Sequence, residues 1–308
     1  MPLTVGFTLQ ERHFERGVEA LQSGLAEIEA SGIDFASVLD HLTFWDGAGF
    51  DGLTNAAAVA AAHPRLPIVI SVLILPVRHP VIVARQISSL IQLAPGRLTL
   101  GVGVGGEDRR EILAAGVDPA TRGRRMDESL TILRALLDSG EVTFAGEHFE
   151  LDSVRIRRPA AAARVPILVG GRSDAALRRT ARFGDGWLAF ACSPDRFASA
   201  TDAISIEAEH CGRAGTRFEH GLVVWCGFSD DDRPSPLANE IESLYKLPFE
   251  RFAKYCFDVT PVEIAKQLAP YADAGCQRFS IIPVGHSLQH EIQGVSETAR
   301  ELRQIIDG

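Results

Sequence analysis

The sequence predicts one (β/α)8 TIM barrel over residues 1–308, with insertions at the C-terminal face of the barrel. Three observations predict it: eight short Val/Ile/Leu-rich runs, amphipathic helical stripes separating them, and the lack of any Pro/Gly/Ser-rich linker that would divide the chain. The runs are Val5–Phe7, Phe35–Leu39, Ile68–Ile74, Leu98–Val102, Ile167–Val169, Trp187–Ala191, Leu222–Phe228 and Phe279–Pro283. Each is predominantly apolar, as suits a parallel strand covered on both faces. Phe14, Val18, Leu21, Leu25 and Ile28 form the first helical stripe. Val83, Ile87, Leu90 and Ile91 follow the third run, Met126, Leu130, Leu133 and Leu137 the fourth, and Ile292, Val295, Ala299, Leu302 and Ile306 the last. Thr260-Pro261-Val262-Glu263 is a capping box with proline at N1, and Ser193-Pro194 repeats the cap-plus-proline pattern. Two segments exceed the minimal barrel. Residues 140–164 contain a hairpin around Ala145-Gly146, with Val142 and Phe144 facing Phe149 and Leu151, and residues 229–259 are rich in Asp, Pro and aromatics. Both are expected to leave C-terminal strand ends, where a lid or substrate wall belongs.

Composition narrows the function. The chain is 46% hydrophobic, but no apolar run reaches the roughly 20 residues a bilayer span needs, so no membrane partner is expected. MPLTVGFTLQ has no basic region before its apolar residues, so no signal peptide is expected and the cytoplasm is the expected compartment. A formal net charge of -9 argues against nucleic-acid binding. The five cysteines are widely spaced, with no C-x-x-C pair, which points to reduced thiols. His63, His79 and His148 lack metal-ligand spacing and the first strand lacks His-x-His, so no metal is expected. A small-molecule substrate is the expected partner.

Glycines mark where a ligand belongs. Gly101-Val102-Gly103-Val104-Gly105-Gly106 matches G-x-G-x-x-G in letters, but a helical stripe stands where a dinucleotide fold needs its second strand and acidic residue. Gly103, Val104 and Gly105 are read instead as a strand end that lets backbone approach a flat ring system. Downstream, ILVGGRS ends a strand with Gly170-Gly171 and opens a helix at Ser173. Free backbone N–H groups at that helix start, together with Arg172, suit a phosphate. Asp40-His41 closes the second strand and Trp45 follows it, placing a titratable group on the same barrel face as Ser71, Gly103 and Gly170.

Taken with these motifs, Ser71 to Pro80 (SVLILPVRHP), GRLTLGVGVG from Gly96, RGRRMDE from Arg122, PILVGG from Pro166 and GDGW from Gly184 resemble the luciferase-like monooxygenase superfamily, and within it the branch that uses coenzyme F-420. The resemblance covers nearly the full length. It implies a barrel, often dimeric, that binds FMN or F-420 at its C-terminal face, with a non-prolyl cis peptide at Ser71-Val72 bulging behind the cofactor's central ring. Some F-420 relatives carry a carboxylate directly after the GVGxG turn, whereas here Gly106 stands there and Glu107 follows. The resulting expectation is an F-420-dependent oxidoreductase exchanging hydride with a small organic substrate, with a homodimer as its assembly. His41 and Asp40 are the expected catalytic pair and also contact the cofactor. Ser71, Val72, Gly103, Val104 and Gly105 support its ring, Gly170, Gly171 and Arg172 its phosphate side, and Trp45 lines the substrate pocket. The alternatives are an FMN-dependent monooxygenase fed by a separate flavin reductase, and a flavin-binding barrel without turnover.

Overall fold

The computed structural model describes residues 3–45, 47–106, 108–157, 164–229 and 235–308. Eight parallel strands close on themselves: β1 Thr4–Leu9, β2 Phe35–Val38, β3 Ile68–Ile74, β4 Leu98–Gly103, β5 Ile167–Gly170, β6 Gly186–Phe190, β7 His220–Phe228 and β8 Cys276–Val284. Each pairs with its neighbour in sequence, and β8 pairs with β1 through Phe279↔Val5. All eight sequence-predicted runs therefore become barrel strands. Their helices are α1 Val18–Ala30, α2 Gly52–Ala62, α3 Pro80–Leu93, α4 Arg122–Asp138, α5 Asp174–Phe183, α6 Pro194–His210, α7 Pro261–Asp273 and α8 Leu288–Asp307. Phe7, Phe35, Phe279 and Trp187 sit fully buried between strands and helices. Thr260 and Ser193 cap α7 and α6 through hydrogen bonds to Glu263 N and Arg196 N. Among the described residues no helix is long and apolar enough to cross a membrane.

Two expectations are corrected. The stripe from Phe14 to Ile28 is two helices, because Gly17 takes a φ of 83° and breaks the chain between Glu11–Phe14 and α1, leaving Val18 exposed. The hairpin, Glu141–Ala145 with Glu150–Arg155, follows the end of α4 instead of a strand end. It packs back along that helix, where the Glu128 carboxylate accepts from the backbone N–H groups of Glu147, His148 and Phe149, and Arg125 lies over the Phe149 ring. The second insertion does leave a strand end, β7, and it holds a helix at Leu237–Tyr245 and a short strand, Cys256–Val259, that pairs with Trp225–Phe228 of β7.

At the opposite end of β7, His220 is buried and its Nδ1 accepts from Trp187 N at 3.1 Å. Burial holds its pKa down at about 4, so between pH 6.5 and 4 the unfolded chain takes up a proton that the folded chain refuses. Stability is full above pH 6.5 and falls by roughly 3 kcal/mol toward pH 4 on this account. His220→Asn, whose Oδ1 can accept the same N–H, is expected to lose less melting temperature than the parent between pH 7 and 4.5. An equal loss in both would remove the effect from His220.

Candidate active site

A cavity of about 810 Å³ opens at the C-terminal ends of the strands. Asp40, His41, Ser71, Val72, Gly103, Val104, Gly105, Gly170, Gly171 and Arg172 all line it. Trp45 does not, and the reason is local. Its φ of 48° turns the side chain out against Arg110, whose guanidinium carbon lies 5.6 Å from the ring, and Phe44 takes the cavity wall instead.

The floor is built around Val72. Ser71 and Val72 are joined by a cis peptide, and the β3–β4 register slips between Ile70 and Leu73. The Val72 side chain points across the barrel into the space that side chains at 103 and 170 would occupy, since a Cβ on Gly103 would lie 2.6 Å from Val72 Cγ2 and one on Gly170 3.1 Å from its Cγ1. These two glycines thus make room for Val72 itself as well as for a ligand. The Ser37 hydroxyl donates to the Ser71 oxygen at 2.9 Å, fixing the polar edge of the same floor.

Gly171 carries a φ of 113°, a conformation open to glycine, and its carbonyl accepts from the buried Trp187 indole at 2.7 Å. With the carbonyl anchored in the core, the N–H of the same peptide, on Arg172, faces the other way. Ser173 caps α5 by accepting from Ala176 N. A recess of about 430 Å³ joins these groups, sharing Val104, Gly170, Gly171 and Arg172 with the main cavity and adding Ser173 and Arg179. A positive helix end, glycine backbone and Arg172 in one recess form an anion-binding arrangement, with Arg179 beside them already paired to Asp127 at 2.6 Å.

His41 is half-buried and its ring lies 4.1 Å from that of Phe44. Its Nδ1 stands 3.2 Å from both carboxylate oxygens of Glu111, which is only 1% exposed. A carboxylate can only accept, so Nδ1 carries the hydrogen and Nε2, without a protein partner among the described residues, is left for a ligand. Burial pushes the Glu111 carboxyl up, but hydrogen bonds from His41 and from the backbone N–H groups of Leu42 and Thr43 outweigh it, leaving the group ionised and below its ordinary value. Glu111 was not singled out in the sequence. The acidic residue noted there, Glu107, lies outside the described residues.

Asp40 lines the cavity, but its carboxylate is taken up by hydrogen bonds within the protein. Its Oδ1 accepts from Gly52 N and Arg78 Nη2, its Oδ2 from Ile74 N and Arg78 Nη1, all at 2.7 to 2.8 Å. Two donors on each oxygen fill the four acceptor sites of a carboxylate, so Asp40 has none for a ligand. It acts as a positioning group that ties β2 to β3 and to the start of α2. Arg78 also reaches Asp51 at 2.8 Å, and nothing in the sequence marked it.

The wall opposite the floor comes from the second insertion. Glu240, Leu244, Tyr245, Arg251, Phe252 and Tyr255 all reach the cavity, whereas no residue of the hairpin does among those described. Arg12 fastens this wall to the barrel, bonding Glu240 at 3.1 Å and Glu291 of α8 at 2.7 Å.

Known proteins share this architecture. The chain is 36% identical over 190 residues to an uncharacterized protein of Mycobacterium tuberculosis, a match covering 61% of this chain and 64% of that protein, less than two thirds of its length. It is 28% identical over 305 residues to an F-420-dependent glucose-6-phosphate dehydrogenase of Kineococcus radiotolerans, covering 89% of each. The solved structure of an F-420-dependent secondary alcohol dehydrogenase in complex with an F-420–acetone adduct superposes with a TM-score of 0.83 at 18% identity, over 98% of this chain and 99% of that one. Residues 11–234 match the family model described as luciferase-like monooxygenase, and with the barrel and its cavity in place the chain belongs to that family.

Proposed function

We propose that the protein is an F-420-dependent oxidoreductase acting on a small organic substrate. The observation that carries this reading is the His41–Glu111 pair, which leaves Nε2 of a cavity-lining histidine without a protein partner among the described residues, in a cavity that has a Val72 floor and joins the recess at a helix N-terminus. Relatives named as F-420-dependent dehydrogenases support the choice of cofactor.

The residues present fit such a group. A Cβ on Gly106 would meet nothing within 4 Å, so the cavity mouth beyond Gly105 is open to a flat ring, and the recess at Ser173 accepts its phosphate. When bound, F-420 supplies a carbon that accepts or donates hydride. Nε2 of His41 takes the hydroxyl proton of a substrate as the adjacent carbon gives up hydride, and returns it to a carbonyl oxygen in the reverse direction. Glu111 keeps the imidazole in one tautomer and stabilises the imidazolium that forms. Val72 supports the ring face, and the apolar wall excludes water from the reacting carbon.

Titration of the purified protein with F-420 and with FMN, followed by absorbance, is expected to show tighter binding of F-420. FMN binding in the micromolar range with no F-420 binding would move the protein to the monooxygenase reading. The phosphate position is tested in the same titration with Ser173→Asp, which keeps the helix cap but adds a negative charge at the recess. An aspartate at Gly171 would strain a backbone at φ 113°, so Ser173 is the cleaner position. Affinity is expected to fall at least about tenfold, the scale of one like-charge contact in a partly buried site. Unchanged affinity would place the phosphate elsewhere.

A further inference from the structure

Beyond the floor and the recess, the remaining lobe of the cavity is an aromatic wall that begins at His41. The His41 ring lies 4.1 Å from Phe44, Phe44 meets Tyr245 edge-on at 5.7 Å, and Tyr245 stacks on Phe252 at 4.8 Å. Trp225, 2% exposed, and Leu244 extend the wall. Charge is distributed in the opposite way to what an anionic substrate needs. Arg12 is already paired with Glu240 and Glu291, Arg251 stands exposed at the rim, and Glu11 and Glu15 are also on the lining. Among the described residues no lysine lines the cavity.

We propose that this lobe takes an uncharged hydroxyl or carbonyl compound with an aromatic or alicyclic body, its oxygen on His41 Nε2 and its ring against Phe44, Tyr245 and Phe252, and that it rejects phosphorylated sugars. The inference rests on the hydride-transfer reading for its chemistry but not for its binding. An apolar ring gains from every apolar surface it covers there, and flat rings pack edge-on or offset against the wall. A phosphate dianion in the same place would lose its hydration and find Arg12 already paired and Arg251 solvated at the rim, while facing the carboxylates of Glu11 and Glu15. The substrate class therefore differs from that named for the glucose-6-phosphate dehydrogenase relatives.

The test uses the intrinsic fluorescence of the full-length protein, with Trp225→Phe identifying the wall signal. Acetophenone, cyclohexanone and glucose 6-phosphate are titrated into the protein with and without F-420. Both ketones are expected to bind at least about tenfold more tightly than the sugar phosphate, and Phe252→Ala to weaken acetophenone by about the same factor, as loss of one pocket contact does. Melting temperature shows that the variant is folded. Equal or tighter binding of glucose 6-phosphate, or acetophenone affinity unchanged in folded Phe252→Ala, overturns the proposal. Ketone binding with no F-420 binding supports the substrate class and fails the cofactor reading. Oxidation of glucose 6-phosphate in preference to 1-phenylethanol with F-420 bound does the reverse.

Discussion

His41→Ala is expected to lower kcat by roughly 100-fold or more, the scale of a general acid–base group, with little change in F-420 affinity. The ring is half-buried and its one polar partner among the described residues is Glu111, so the loss falls on the reacting proton and only weakly on the fold. Glu111 would keep its bonds from Leu42 N and Thr43 N in the variant, which limits the penalty of the vacated site. Melting temperature and kcat measured on one preparation separate the two possibilities. A folded variant that turns over like its parent removes His41 from catalysis.

Asp40→Ala is expected to act on stability first. The Arg78 side chain is 12% exposed and would be left with a half-exposed Asp51 as its acidic partner, while Gly52 N and Ile74 N would lose their acceptor. Removing one member of a buried ion pair costs about 3 to 5 kcal/mol, and the surviving Asp51 contact places this case toward the lower end. Denaturant unfolding should show a lower midpoint with an unchanged slope. Asp40→Asn should recover part of the loss, since its amide oxygen still accepts. A stability loss under about 1 kcal/mol together with lost turnover would return Asp40 to direct chemistry.

What the sequence disclosed followed from how local each signal is. Buried parallel strands are near-continuous apolar runs, so Ile68–Ile74 and Ile167–Gly170 were visible without their partners. The Gly170–Ser173 turn was visible because cap and glycine chemistry is written within four residues. Glu111 and Arg78 were not, because their meaning lies in contacts made 70 and 38 residues away in the chain. An acidic residue on a short helix and an arginine before a proline helix start have no local mark of burial. Trp45 was misplaced for a related reason. A single left-handed residue exchanges which of two neighbouring aromatics faces inward, and Phe44 and Trp45 in sequence give no sign of it. The sequence expectation puts the hairpin at the wrong end even though the Met126–Leu137 stripe before it is legible, since a chain leaving that helix emerges at the N-terminal face of the barrel.

Val72 sets a height. Its methyls fill the gaps that glycines leave in two neighbouring strands, so the level at which anything flat can rest in the barrel is decided by the thickness of one side chain. Changing that one shim, valine to alanine or to isoleucine, would lower or raise the cavity floor without rebuilding the barrel beneath. The glycines at 103 and 170 do the complementary job of a machined recess, and a shim works only while its recess is kept clear.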